Sequence, residues 1–193
     1  MIKIEHVSKG TYASNVLNVT SSGDDFGRCL SPFLLGPVNL YHSFVSKTME
    51  NAWQYCKVYG EFVDDNNIVT QDYFKWAKNG WLSTKANRYP MGKGKKPLYS
   101  LWKGYHLNYI DARRHIYIPL YRDIVLLSPY WQRLKDFYAR HNRDIILLDY
   151  DIYKGKYRGN YNSMISDEDS KLGHAYVLAM MLEWSFVYSI NTL

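Results

Sequence analysis

The residues best placed to do chemistry lie in one short stretch, Thr48-Met49-Glu50-Asn51-Ala52-Trp53-Gln54-Tyr55-Cys56-Lys57. At about 100° per residue, Glu50, Trp53, Gln54 and Lys57 share an arc about 100° wide. Val45, Met49, Ala52 and Cys56 fill a separate apolar arc. The pattern predicts a helix seated by its apolar side that presents a carboxylate, an indole, a carboxamide and an ammonium on the other. A purely solvated face more often carries mobile Lys and Glu without Trp and Gln between them. A glutamate in the first turn of a helix is favoured as the anion by the helix dipole. Such a carboxylate suits the stabilisation of a developing cation or the orientation of a water. The plainer alternative is a surface Glu50 and Lys57 with Trp53 covering the core.

A second carboxylate is expected if the chemistry is glycosidic, because such sites commonly work with a pair. Asp149 and Asp151 follow the apolar run Ile145-Ile146-Leu147-Leu148, at the expected C-terminal end of a buried strand. Strand periodicity would place both on one face. Either could equally be a turn residue satisfied by its own backbone.

These groups must be positioned by a scaffold of 193 residues, enough for one well-buried domain. Ile2 to Val7 alternates as a strand does, and Ser21 to Asp25 is a loop by composition. Leu30 to Phe44 is apolar but interrupted by Pro32, Gly36 and Pro37, which suits extended and turn structure. Thr48 is the expected N-cap of the Glu50 helix. Asp64 to Asn67 reads as a turn. Thr70 or Asp72 would cap a short helix through Trp76 that stops at Asn79-Gly80. Arg88 to Pro97, with two glycines and three lysines after Arg88, reads as a mobile basic loop. Tyr109 to Tyr117 reads as helix up to a block at Pro119. Ser128-Pro129 is a strong helix start, with Trp131, Leu134 and Tyr138 as the apolar stripe. Gly173 to Ile190 reads as a core helix with Asp167-Glu168-Asp169 at its front. The expected fold class is α+β: a single helix-rich domain over residues 1–193 with a small β-sheet or hairpin.

Composition narrows the classes further. Aromatic residues make up 17% of the chain, with 19 Tyr and 6 Trp. Most would fill the core, and some suit stacking on a base or sugar. A net charge of +6 favours anionic partners such as phosphates or nucleic acid. Two cysteines, Cys29 and Cys56, make no metal cluster, and the six histidines show no His-x-x-x-His pairing, so no metal and no cofactor is expected. Met91-Gly92-Lys93-Gly94-Lys95-Lys96 lacks the spacing of a phosphate-binding P-loop. No signal peptide opens the chain, and the apolar run from Ala175 to Val187 is too short to span a bilayer, so the expected setting is the reduced cytoplasm with no membrane partner.

The segment Thr48-x-Glu50-x-Ala52-Trp53-Gln54-x-x-Lys57 resembles the signature of the NADAR (YbiA-like) N-glycosidase family. There a Ser/Thr-x-Glu-x-Ala-aromatic-Gln-x-x-Lys helix follows a Pro-containing apolar hairpin, as Leu30-Ser31-Pro32-Phe33 and the run to Phe44 do here. Tyr109-x-x-x-Arg113-x-x-Ile116 is similar to a further family helix, with Tyr109 standing where the family has tryptophan unless Trp102 supplies it. Asp149 or Asp151 stands where the family has an acidic residue after a strand, and Leu172-Gly173 looks like the start of its closing helix. The resemblance implies hydrolysis of an N-glycosidic bond in a ribose phosphate, an ADP-ribosyl group or a modified nucleoside. In that reading Glu50 acts with Asp149 or Asp151. Lys57 and Arg113 meet phosphate, and Trp53 and Tyr109 bracket a ring beside Gln54. The alternative is a non-catalytic nucleotide or nucleic-acid binder, such as a phage protein that sequesters a nucleotide signal.

Overall fold

The computed structural model describes residues 1–10, 13–153 and 161–190. In chain order the strands are β1 (Ile2–His6), β2 (Val16–Asn18), β3 (Val38–Asn39), β4 (Val45–Ser46), β5 (Lys57–Val58), β6 (Tyr99–Trp102), β7 (Tyr105–Leu107) and β8 (Ile145–Asp149). The helices are α1 (Met49–Gln54), α2 (Gln71–Leu82), α3 (Tyr109–Ala112), α4 (Ile118–Leu127), α5 (Pro129–Arg140), α6 (Tyr161–Ile165) and α7 (His174–Ile190). The class is α+β. Contacts divide the chain into two compact units, one of residues 1–31 with 121–193 and one of 32–120.

The first unit is built on a parallel sheet in the order β1-β8-β2. Its centre, β8, pairs Ile145 with Ile2 and Ile146 with Val16. A central parallel strand is covered on both faces, which explains the unbroken apolar run at 145–148. The α5 stripe of Trp131, Leu134 and Tyr138 is buried, and the Ser128 hydroxyl accepts from the Tyr130 amide at 3.2 Å as the cap. The Tyr121 hydroxyl donates to the Leu30 carbonyl at 2.6 Å.

The second unit holds α1, α2, the β3–β4 hairpin and the antiparallel sheet β5-β6-β7. Its core is largely aromatic: Tyr55, Tyr73 and Trp81 are buried with Val58, Ala77 and Leu101, and Trp76 and Phe62 pack against them.

Three local expectations are corrected. Helix α2 runs through Gly80 to Leu82, because Gly80 is a packing position rather than a cap. A Cβ there would lie 2.1 Å from the Tyr55 ring. Pro119 does not end the helix that begins at Tyr109. A π-helical turn over Arg113–Tyr117 lengthens the hydrogen-bond register, with the Ile118 amide bonded to the Arg113 carbonyl, and the chain continues into α4. The acidic run 167–169 does not serve α7 either. Asp167 closes its own turn by accepting from the Asp169 amide and the Ser170 hydroxyl.

Candidate functional site

Helix α1 is fixed at its start by three acceptors. The Met49 amide donates to the Leu35 carbonyl, the Glu50 amide to the Pro32 carbonyl, and the Asn51 amide to the Thr48 hydroxyl at 3.1 Å. Thr48 is thus the cap, and the proline-containing segment before it supplies the remaining partners. The helix is shorter than the sequence pattern suggests. After Gln54 the carbonyls of Tyr55 and Cys56 are taken by the Tyr73 hydroxyl, and the Leu101 amide also claims Cys56. The chain therefore peels into β5, and Lys57 belongs to a strand.

The expectation of a presented face is also corrected. All six residues of α1 are buried, with Glu50 and Gln54 at 6% and Trp53 at 9% exposure. A helix buried on every side presents no solvated face. Asn51 shows one consequence. Its side-chain amide donates to the carbonyls of Ser83 and Lys85, and its oxygen accepts from the Asn87 amide, so α1 holds the chain that follows α2.

Six of the expected site residues form one connected series within this unit. The Gln54 Nε2 donates to Glu50 Oε1 at 2.8 Å, and Lys57 Nζ donates to Gln54 Oε1 at 2.7 Å. This fixes the carboxamide, since an ammonium can only donate and must therefore meet the amide oxygen. Lys57 Nζ also lies 4.8 Å from the centre of the Trp53 ring. Trp53 meets Tyr109 at 6.4 Å between ring centres and 36° between planes, and Arg113 stacks on Tyr109 at 4.1 Å. The series thus runs from a buried carboxylate through an amide, an ammonium and two rings to a guanidinium.

One role within it changes. Trp53 and Tyr109 do not bracket a slot, because rings 6.4 Å apart are in direct aromatic contact and leave no room for a third between them. Arg113 is 1% exposed and braces Tyr109 from within. Tyr109, at 38%, is the exposed member of the series.

Asp149 and Asp151 belong to the first unit. They do not share a face, because β8 ends at Asp149 and Asp151 sits in the bend beyond. Asp149 is 2% exposed. Its Oδ1 accepts from the amides of Tyr150 at 2.6 Å and Asp151 at 3.4 Å. Its Oδ2 accepts from the Ala175 amide at 3.1 Å and lies 3.1 Å from His174 Nδ1. Burial pushes this carboxyl upward, but His174 and the amide donors outweigh burial and hold it below the usual carboxylate range. His174 Nε2 lies 2.8 Å from the Val19 carbonyl, which can only accept, so that nitrogen carries a proton.

The arrangement is a strut from the end of β8 to the N-terminus of α7, where an anion is favoured. Gly173 permits the approach: a Cβ there would lie 2.3 Å from the Asp151 carbonyl oxygen and 2.5 Å from Asp149 Oδ2. Asp151 is half-buried, 3.8 Å from Lys171 Nζ. Sequence reading missed His174 as the partner; the available signal was a histidine opening the predicted helix right after a glycine.

No cluster of three or more His, Cys, Asp or Glu placed to hold a metal ion occurs among the described residues. None of the described helices is long and apolar enough to cross a membrane. The chain belongs to a family of unknown function, DUF6939, whose family model matches residues 1–178. No curated protein and no solved structure matches the chain.

Proposed function

We propose that the Glu50 series is the working site of an N-glycosidase acting on a ribose phosphate, an ADP-ribosyl group or a modified nucleoside. The observation that supports this reading is the buried Glu50 carboxylate, joined through Gln54 to Lys57 and onward to the exposed ring of Tyr109. Burying a carboxylate is costly unless it is well partnered, so its retention beside stacked aromatic rings favours a purpose beyond packing.

In the reaction, the bond between the anomeric carbon and nitrogen breaks, and its electron pair leaves with the nitrogen. The ribose gains oxocarbenium character, which a carboxylate stabilises more strongly away from bulk water. Water oxygen then bonds to the anomeric carbon, and the proton it loses restores the leaving nitrogen. Glu50 either faces the developing cation or accepts the proton of that water. Lys57 is the cation for the ligand's phosphate, Tyr109 offers the stacking surface, and Arg113 and Trp53 hold Tyr109 in place. Asp149 has no part in the chemistry, since its acceptor positions are occupied by its own strut.

The test is incubation with NAD, ADP-ribose, ADP-ribosylated guanine DNA and N-linked ribose phosphates, read by mass spectrometry for a freed ribose phosphate. Glu50→Gln, which keeps the side chain's size, should lower turnover of the hydrolysed substrate about a hundredfold or more. Equal turnover in the variant would remove Glu50 from the mechanism. Ligand retention without product across the whole set would favour the non-catalytic nucleotide binder instead.

A further inference from the structure

Residues 73–110 contain eight Lys and Arg and no Asp or Glu. The rest of the chain has sixteen such cations against eighteen carboxylates, so the protein's excess positive charge resides in this one segment. Its central part is an ordered display. The Gly92 amide donates to the Tyr89 carbonyl at 3.0 Å and the Lys95 amide to the Gly92 carbonyl at 3.3 Å, forming two successive turns. Gly92 and Gly94 take left-handed φ values of 97° and 89° that suit glycine. Lys95 is tied to Glu61, and Lys85, Lys93 and Lys96 are exposed.

The chain then enters the β6–β7 hairpin, which turns through Lys103-Gly104 with φ of 51° and 86°, the geometry of a type I′ turn. Beside that turn Tyr105 is 71% exposed, and His106 stacks on Tyr99 at 3.9 Å and 12°. Glu61 is neutralised by Lys95, and the Asp64 carboxylate accepts from the amides of Asn66 and Ile68 in its own turn.

We propose that the 85–97 loop and the β6–β7 hairpin form a binding surface for single-stranded nucleic acid, separate from the Glu50 chemistry. Exposed lysines meet successive phosphates, and Tyr105 stacks on a base. A single strand is favoured over a duplex because only an unpaired base can lie flat on that ring.

The test is fluorescence anisotropy with labelled oligo-dT of about 20 nucleotides, the same length of duplex, and phosphatidylserine vesicles, each from about 50 to 300 mM salt. Oligo-dT should bind most tightly, and Tyr105→Ala should weaken it about tenfold while leaving duplex binding unchanged. Lys93→Ala with Lys96→Ala should make the log–log salt slope shallower by about 1.4, at about 0.7 per lost phosphate contact. All three positions are exposed, and unchanged circular dichroism would establish that the variants fold. Tighter binding to duplex or vesicles, no effect of Tyr105→Ala on oligo-dT, or no binding at the lowest salt would each overturn the proposal. None of these readouts depends on glycoside cleavage.

Discussion

Asp149→Ala removes the carboxylate that joins β8 to α7, and the size of its effect separates a strut from a catalytic group. The Ala175 amide, buried at the helix start, loses its acceptor, at about 1–3 kcal/mol. His174 loses a charge-assisted partner worth about 1.5–3 kcal/mol. The Tyr150 amide, beside a half-exposed side chain, can turn to water. These terms bracket the loss of about 3–5 kcal/mol expected when one partner of a buried pair is deleted. For a chain of this size that corresponds to a fall in Tm of about 6–20 °C. Urea denaturation at pH 7, followed by circular dichroism, measures it.

The pH dependence adds a second check. The folded carboxyl lies below its unfolded value of about 3.9, so between the two values the unfolded state binds more protons and stability rises with pH. The gap between wild type and variant should therefore close as pH falls below about 4. A purely catalytic Asp149 predicts a variant at least as stable as wild type. Equal urea midpoints at pH 7, or a gap that persists undiminished into acid, would refute the strut.

Two further outcomes test the packing. Gly→Ala within an exposed helix stabilises by about 1 kcal/mol. Gly80→Ala should instead destabilise by about 1–3 kcal/mol, because the new methyl meets a Tyr55 ring already packed 4.6 Å from Trp76; a rise in Tm would contradict the close approach. The Cys56 thiol is pushed up to about 11 by burial, with Lys57 opposing only in part. At pH 8 about one molecule in a thousand then carries the thiolate. Aromatic disulfide reagents should titrate one fast thiol in the native protein, the half-buried Cys29, and a second only after denaturation; two fast equivalents would contradict that burial.

What sequence discloses here divides along a physical line. Caps and buried runs are local, and Thr48, Ser128-Pro129 and 145–148 do what their residue types demand. Pairing between Ile2 and Ile145, 143 positions apart, leaves no local trace, so the parallel sheet was not foreseen. Gly80 and Pro119 mislead because each is overridden from outside its own helix, one by the Tyr55 ring and the other by a change of register. The β6–β7 hairpin did carry a signal, Lys103-Gly104 between aromatic runs, which fits a two-residue turn. The helical wheel grouped Glu50, Gln54 and Lys57 although Lys57 is not helical. Lys57 still reaches Gln54 because Tyr55 and Cys56 turn the chain before β5 begins, which keeps the two side chains close.

The two buried acids show why residue type alone does not assign a role. Asp149 accepts from three backbone amides, groups whose positions are set by the fold and cannot shift without disturbing it. Such a carboxylate is preorganised for one state. The contacts from Glu50 to Gln54 and from Gln54 to Lys57 join side chains, which can change rotamer at a cost of order 1 kcal/mol while the backbone stays in place. A ligand phosphate competing for Lys57 would withdraw the donor from Gln54 Oε1 yet leave Gln54 Nε2 on Glu50. Recognition of the anion would then reach the carboxylate through one amide, without either charge leaving the series. In the glycosidase reading this is the useful arrangement: the link from Lys57 to the group that must answer to substrate runs through side chains, and the group that must not move is held largely by main chain.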